Sequence, residues 1–312
     1  MTMTAELRLC CAAAVLSAVA SAQGGLPAAK PVPRMQAVPV PGREISFQRE
    51  GKEIARFHYG AALDRPFVFP VIGPSGRMLT RMGHPGDPDG HSHHNSVWFS
   101  FGGVNGVEFW SDKGAGKIVV RRVEELGDAD DRAFVVTTAD WKDTKTGKVL
   151  LTERRTTIAH ALPGNEWVLL LDLELKAAAG DVTIAKDQFG PIGVRVAKTM
   201  GVAHGGGRIR SSEGAEGEKA IFRKPARWVD YSGLSAPGIV EGLTLMDHPS
   251  NPRHPQPFHV REDGWMGIFL TLGEALTIRT GTPLRLRYGV YVHAGLPARE
   301  ALDARWRAFS SR

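Results

Sequence analysis

Leu284-Arg285-Leu286-Arg287-Tyr288 alternates apolar and charged residues with a period of two. The leucines therefore face one side and the arginines the other, as a half-buried antiparallel strand requires. Asp172-Leu173-Glu174-Leu175-Lys176 repeats the pattern. Short runs rich in β-branched and aromatic residues recur between turn signals at 67–72, 97–101, 118–123, 134–141, 149–158, 167–176, 243–246, 266–272 and 284–293. Such spacing predicts an all-β fold, a large antiparallel β-sandwich. One helix is expected at the C-terminus, where Leu302, Trp306 and Phe309 fall at helical spacing after Pro297.

The first 22 residues read as a secretory signal peptide. Arg8 gives a basic n-region, Cys10 to Val19 a short apolar core, and Ala20-Ser21-Ala22 a small-residue cleavage site. The expectation is export to the periplasm or beyond, with no membrane span in the mature chain. Residues 23–43, rich in Pro, Ala and Gly, read as a flexible leader, and 44–312 as a single domain. Both cysteines, Cys10 and Cys11, lie in the signal, which excludes a structural disulfide and a thiol nucleophile from the mature protein. The formal charge of +6 is scattered, so no nucleic-acid surface is expected.

Seven of the eleven histidines fall in two segments. His84, His91, His93 and His94 share a glycine- and proline-rich loop, while His248, His254 and His259 share a proline-rich one. Imidazole suits proton transfer near neutral pH and is the commonest metal ligand. On an extended stretch His91 and His93 would point to one side and His94 to the other. That arrangement serves catalysis by His91, His93 or His94, or divalent-metal binding by His91, His93 and one of His248, His254 or His259, with His259 the preferred third ligand. The same rings can equally serve only to hold their loops. His58, His160 and His204 are isolated and carry no functional reading.

Two further stretches suit substrate binding. In Gly193-Val194-Arg195-Val196-Ala197, small residues share the face of Arg195 and leave space around its guanidinium, with Lys186 shortly before. In Trp228-Val229-Asp230, an indole and a carboxylate share one face, a combination that stacks and hydrogen-bonds sugars. Ordinary core filling explains Trp228 equally well, and Trp98, Phe99, Phe101, Phe109 and Trp110 are read as core.

His91-Ser92-His93-His94-Asn95-Ser96-Val97-Trp98-Phe99 and Val104-Asn105-Gly106-Val107-Glu108-Phe109-Trp110 resemble the DUF6807 family, also labelled the PmoA family. The resemblance continues through Lys186, 193–197, 228–233, Asp247-His248-Pro249, Asn251, His254-Pro255 and Phe258-His259-Val260-Arg261 to Arg287-Tyr288. It implies substrate-binding roles for His248, Asn251, His254, His259 and Arg261 beside Lys186, Arg195, Trp228 and Asp230. Family members carry an acidic residue directly before the first histidine of the cluster, where this chain has Gly90. The label points to a membrane-embedded methane oxygenase subunit, which a chain without a span contradicts. The all-β pattern is similar to the galactose-mutarotase-like sandwich, a likeness of fold that leaves function open. Three functions follow as expectations: a carbohydrate enzyme of epimerase, lyase or hydrolase type using histidine acid–base chemistry, a divalent-metal enzyme, or a non-catalytic glycan-binding protein.

Overall fold

The computed structural model describes residues 29–87 and 91–311; the signal-peptide expectation therefore lies outside the described residues. Pro33–Arg312 makes one compact unit. It contains two eight-stranded antiparallel sheets and a small four-stranded one. The first sheet runs, in spatial order, Met35–Val40, Glu44–Arg49, Lys52–His58, Phe67–Val71, Val97–Phe99, Ile192–Arg195, Trp265–Ile268 and Phe258–Arg261. The second runs Arg208–Ser211, Trp228–Ala236, Ile239–Asp247, Leu284–Ala294, Trp167–Ala177, Val149–Ala161, Arg132–Asp143 and Gly116–Asp128.

The two alternating segments are neighbours in register. Leu173 pairs with Leu286 on the core side, while Asp172 pairs with Arg287 and Glu174 with Arg285 on the other. Between the sheets, Phe47, Phe57, Val97, Phe99, Val194 and Met266 pack against the inward leucines of the second sheet. Trp141 meets Phe99 edge-on at 6.1 Å, and Trp167 donates its indole N–H to the Ile72 carbonyl at 2.9 Å. Each such buried side chain contributes about 1.5–3 kcal/mol. The fold is the all-β antiparallel sandwich that the alternation predicts, with its C-terminal helix.

The expectation of a flexible leader through residue 43 is corrected by Met35–Val40, which pairs with Glu44–Arg49 as the outermost strand of the first sheet. Met35 and Ala37 alternate into the core and are almost fully buried. Pro39, which suggested a linker, is tolerated because an edge strand needs no ladder N–H on its outer side.

The helix Arg299–Ser310 lies on the outer face of the second sheet. Leu302 and Phe309 pack there against Val168, Trp228, Met246 and Tyr291, with Trp306 alongside. Among the described residues no helix is long and apolar enough to cross a membrane.

Candidate functional site

Cross-strand partners share a sheet face, and the register of the first sheet lines up Phe67, Trp98, Gly193, Gly267 and His259 in one row. Arg195, Trp265 and Arg261 form the next. All face away from the sandwich core, since their neighbours Val97, Val194, Met266 and Val260 face into it. The two glycines set what this layer can hold. A Cβ on Gly193 would lie 2.5 Å from the Trp98 indole, and one on Gly267 would lie 3.0 Å from the Trp265 indole. The space that small neighbours open beside Arg195 is thus filled by a tryptophan ring. Trp98 belongs with Phe67, Trp110 and Trp265 in this outer aromatic layer, and not in the core between the sheets.

The loop carrying His91, His93 and His94 sits over the layer. It is a turn, closed by the His94 N–H donating to the His91 carbonyl at 3.1 Å, and so differs from the extended stretch expected. The turn gathers all three rings. His94 stacks on His91 at 4.4 Å and meets His93 edge-on at 4.6 Å, and it lies 5.1 Å from Trp98 and 5.5 Å from Trp265. His259 joins from the neighbouring strand, with its ring 3.8 Å from that of Trp265. Arg65, fully buried, ties the loop down by donating to the carbonyls of His93, Phe109 and Ser111 and to Asn95 Oδ1.

Arg195 is completely buried and donates to Asp263 Oδ1 at 2.8 Å. His91 Nδ1 lies 3.4 Å from both Asp263 Oδ2 and Arg195 Nη2. A half-exposed imidazole is thereby held by a carboxylate that a buried guanidinium fixes in turn. His93 sits near Asp112, which accepts from Ser92 Oγ and is held below the usual carboxylate range by that bond. Burial, then the nearby Arg65, lowers the His93 pKa. Burial, with His93 and Arg195 beside it, drives that of His94 far below its ordinary value. Burial and Arg261 bring His259 down to about 3, against a smaller opposing pull from the Gln188 carbonyl. His93, His94 and His259 are therefore neutral at pH 7, each offering one donor and one acceptor.

Residues 44–307 match a family of unknown function, DUF6807. The chain belongs to the DUF6807 family. Among solved structures, it is similar to the GalM/aldose epimerase homologue from C. elegans at 8% identity and a TM-score of 0.34, over 85% of this chain and 99% of that one. A likeness this slight adds nothing to the site. No curated protein matches the sequence.

The other residues singled out in the DUF6807 chain lie apart from the histidine turn. Trp228 is buried beneath the C-terminal helix, its indole donating to Asp303 at 2.9 Å. Asp230 is fully buried and accepts from Arg210, Ser232, Thr244 and His293. Burial alone would raise its pKa, but His293 and Arg210 bring it to about 2. The pair is a sealed structural network on the second sheet, which corrects its reading as an open sugar platform. His254 bonds Asp247 at 2.8 Å and stacks on Trp306. Asn251 clamps Asp247 to the backbone of Arg287. His248 lies near Phe309, on the same side as these. Of the second histidine segment, only His259 reaches the first.

Arg261 borders the layer, paired with Glu218 and lying over Phe222. Lys186 is exposed, at the start of a loop whose Phe189 stacks near Trp110 and His259. Among the described residues no three His, Asp or Glu side chains converge as metal ligands, so His91, His93 and His259 do not form the expected triad. His94, 4% exposed, is a wall of the site and not an acid–base group at its mouth. Asp263, Trp265 and Arg65 were not foreseen. Asp263 lies in a Glu-Asp-Gly turn, and nothing local marks it as the partner of Arg195.

Proposed function

We propose that this DUF6807 protein is an exported carbohydrate-active enzyme, of epimerase, lyase or hydrolase type, with His91 and His93 as its acid–base groups. The observation that carries this reading is the Arg195–Asp263–His91 chain beside a half-exposed His93. Asp263, fixed by the buried Arg195, and the Arg195 guanidinium itself both meet His91 at Nδ1 and so orient its imidazole. With Nδ1 so engaged, proton exchange with a substrate runs through Nε2. His93, neutral because of burial and Arg65, is the second proton carrier. Asp112, bonded to Ser92 of the turn, and Arg261, beside His259, offer the acceptor and donor that sugar hydroxyls require.

The layer below supports an oxygen-rich ligand. Trp98, Trp110 and Trp265 each bury an indole N–H with no acceptor, and His94 Nδ1 is likewise unpartnered. An indole only donates, and leaving a buried donor unmade costs about 1–3 kcal/mol. A site that carries several such groups is built to meet oxygen acceptors, directly or through bound water.

The test is a saccharide panel followed by NMR, with His91→Ala and His93→Ala compared to the parent protein. Turnover that falls at least a hundredfold in either variant, with thermal unfolding unchanged, is the expected result. Full activity in both would refute the assignment. Saturable binding without any chemical change would make the protein a glycan binder instead.

A further inference from the structure

The second sheet carries a separate open face that the histidine turn does not touch. A cleft of about 410 Å³ lies between Arg154, Asp172, Glu174, His248, Arg285 and Arg287. This is within the range of about 300–1,000 Å³ typical of small-molecule sites. Two further hollows continue it, one sharing Arg154 and Glu174, the next sharing Arg121 and Thr138. Together they cross the strands Leu284–Ala294, Trp167–Ala177, Val149–Ala161, Arg132–Asp143 and Gly116–Asp128. At about 4.8 Å between strands this is a trough roughly 19 Å long.

The register explains its chemistry. Arg122, Thr138, Arg154, Glu174 and Arg285 pair across these strands as one row, and Thr156, Asp172 and Arg287 as the next. The carboxylates are already neutralised: Asp172 by Arg287, Glu174 by Arg285 and Lys176, and Glu124 by Arg122 and Arg154. Glu153 is paired with the buried Arg155, and Arg121 with Asp140. With the Arg155–Glu153 pair buried beneath, six cations face four carboxylates, leaving a net positive trough interspersed with the hydroxyls of Thr138, Thr152 and Thr156.

At one end His248 supplies an independent sign of a ligand. It is 7% exposed, and its Nε2 has no hydrogen-bond partner. Its Nδ1 accepts from the Ser250 backbone N–H at 3.1 Å, a group that can only donate. Burial, then Arg287, lowers its pKa. The ring is therefore neutral with its proton on Nε2, which leaves a buried N–H donor in the cleft wall beside Arg287.

We propose that this trough binds an acidic oligosaccharide, with a ring carboxylate accepting from His248 Nε2 and the arginines and threonines meeting the remaining carboxylates and hydroxyls. Among the described residues the trough has no exposed aromatic ring on which a nucleobase could stack, which favours a glycan over a nucleic acid. The inference is independent of the activity proposed for the histidine turn.

Fluorescence anisotropy of the full mature protein with a labelled oligogalacturonate tests it. Binding should be saturable and weakened by salt. It should fall at least about tenfold in Arg154→Ala/Arg285→Ala, the size of one lost charge-assisted bond. Both arginines are more than half exposed, so the fold tolerates their loss. His248→Phe, which keeps the ring and removes the donor, should also weaken binding, whereas His91→Ala should not. The proposal is overturned by absence of binding, by equal binding of a neutral malto-oligosaccharide, or by tighter binding of oligothymidylate. It is also overturned if the double variant binds normally or if affinity depends on His91.

Discussion

Gly193→Ala tests the aromatic layer directly, because a single methyl group is placed where the structure puts an indole. The new Cβ would lie 2.5, 2.6 and 2.8 Å from three atoms of the Trp98 ring. Real Cβ contacts do not come this close, so the ring or the strand must move. Trp98 has little freedom to do so: it is fully buried, with His94 at 5.1 Å and Trp110 at 5.2 Å. Overpacking of this kind costs about 1–3 kcal/mol. The backbone of Gly193 is not left-handed, so alanine adds no torsional strain there and recovers about 0.4–1 kcal/mol by restricting the unfolded chain. The net expectation is a loss of about 1–2 kcal/mol, read as a lower urea midpoint with unchanged slope. Tryptophan fluorescence should shift as well, because the displaced ring sits in the histidine cluster. Gly273→Ala is the control, since nothing lies within 4 Å of its Cβ position; with no clash it should show only that gain of about 0.4–1 kcal/mol and no loss. A Gly193→Ala protein as stable as the parent, with the same fluorescence, would refute the placement of Trp98 over the glycine and with it the site built on that layer.

Two further outcomes follow from burial. His259 has a folded pKa lowered to about 3, so the unfolded chain takes up its proton first as pH falls, and stability is lost between about pH 6.5 and 3. His259→Phe suits the surrounding Phe222, Phe269 and Trp265 and should flatten that slope in pH-dependent urea melts; His94 acts in the same direction, so part of the slope remains, and an unchanged slope would contradict the burial argument. A chain starting at Arg43 instead of Pro33 loses the edge strand with buried Met35 and Ala37, and should be less stable by about 2–4 kcal/mol; equal thermal stability would return that segment to the status of a leader.

What the sequence shows and what it hides divide along one physical line. Period-two alternation is local, and it reveals both the inward leucines of the second sheet and the ion-paired lane outside them. The hairpin joining Glu44–Arg49 to Lys52–His58 turns at Glu50-Gly51, with positive φ at both residues, as a two-residue turn demands. Register between distant strands is not local. Asp263 meets Arg195 only because Trp265–Ile268 pairs with Ile192–Arg195, and no spacing announces that pairing.

The same distinction explains why the second histidine segment came apart. His248, His254 and His259 are close in sequence, yet the segment connects the two sheets. Asp247 ends a strand of the second sheet, and Phe258 begins one of the first. His259 therefore belongs to the aromatic layer of one sheet, while His248 and His254 stand on the outer face of the other, next to the C-terminal helix. The prolines between them stiffen a crossover rather than a single loop. One histidine-rich stretch thus supplies two faces with different work: a neutral ring packed beside a proton-transfer turn, and a buried N–H donor at the end of a cationic trough. Tests that mutate the three histidines together would merge these effects. Single variants read against separate assays, turnover for the turn and glycan binding for the trough, keep them apart.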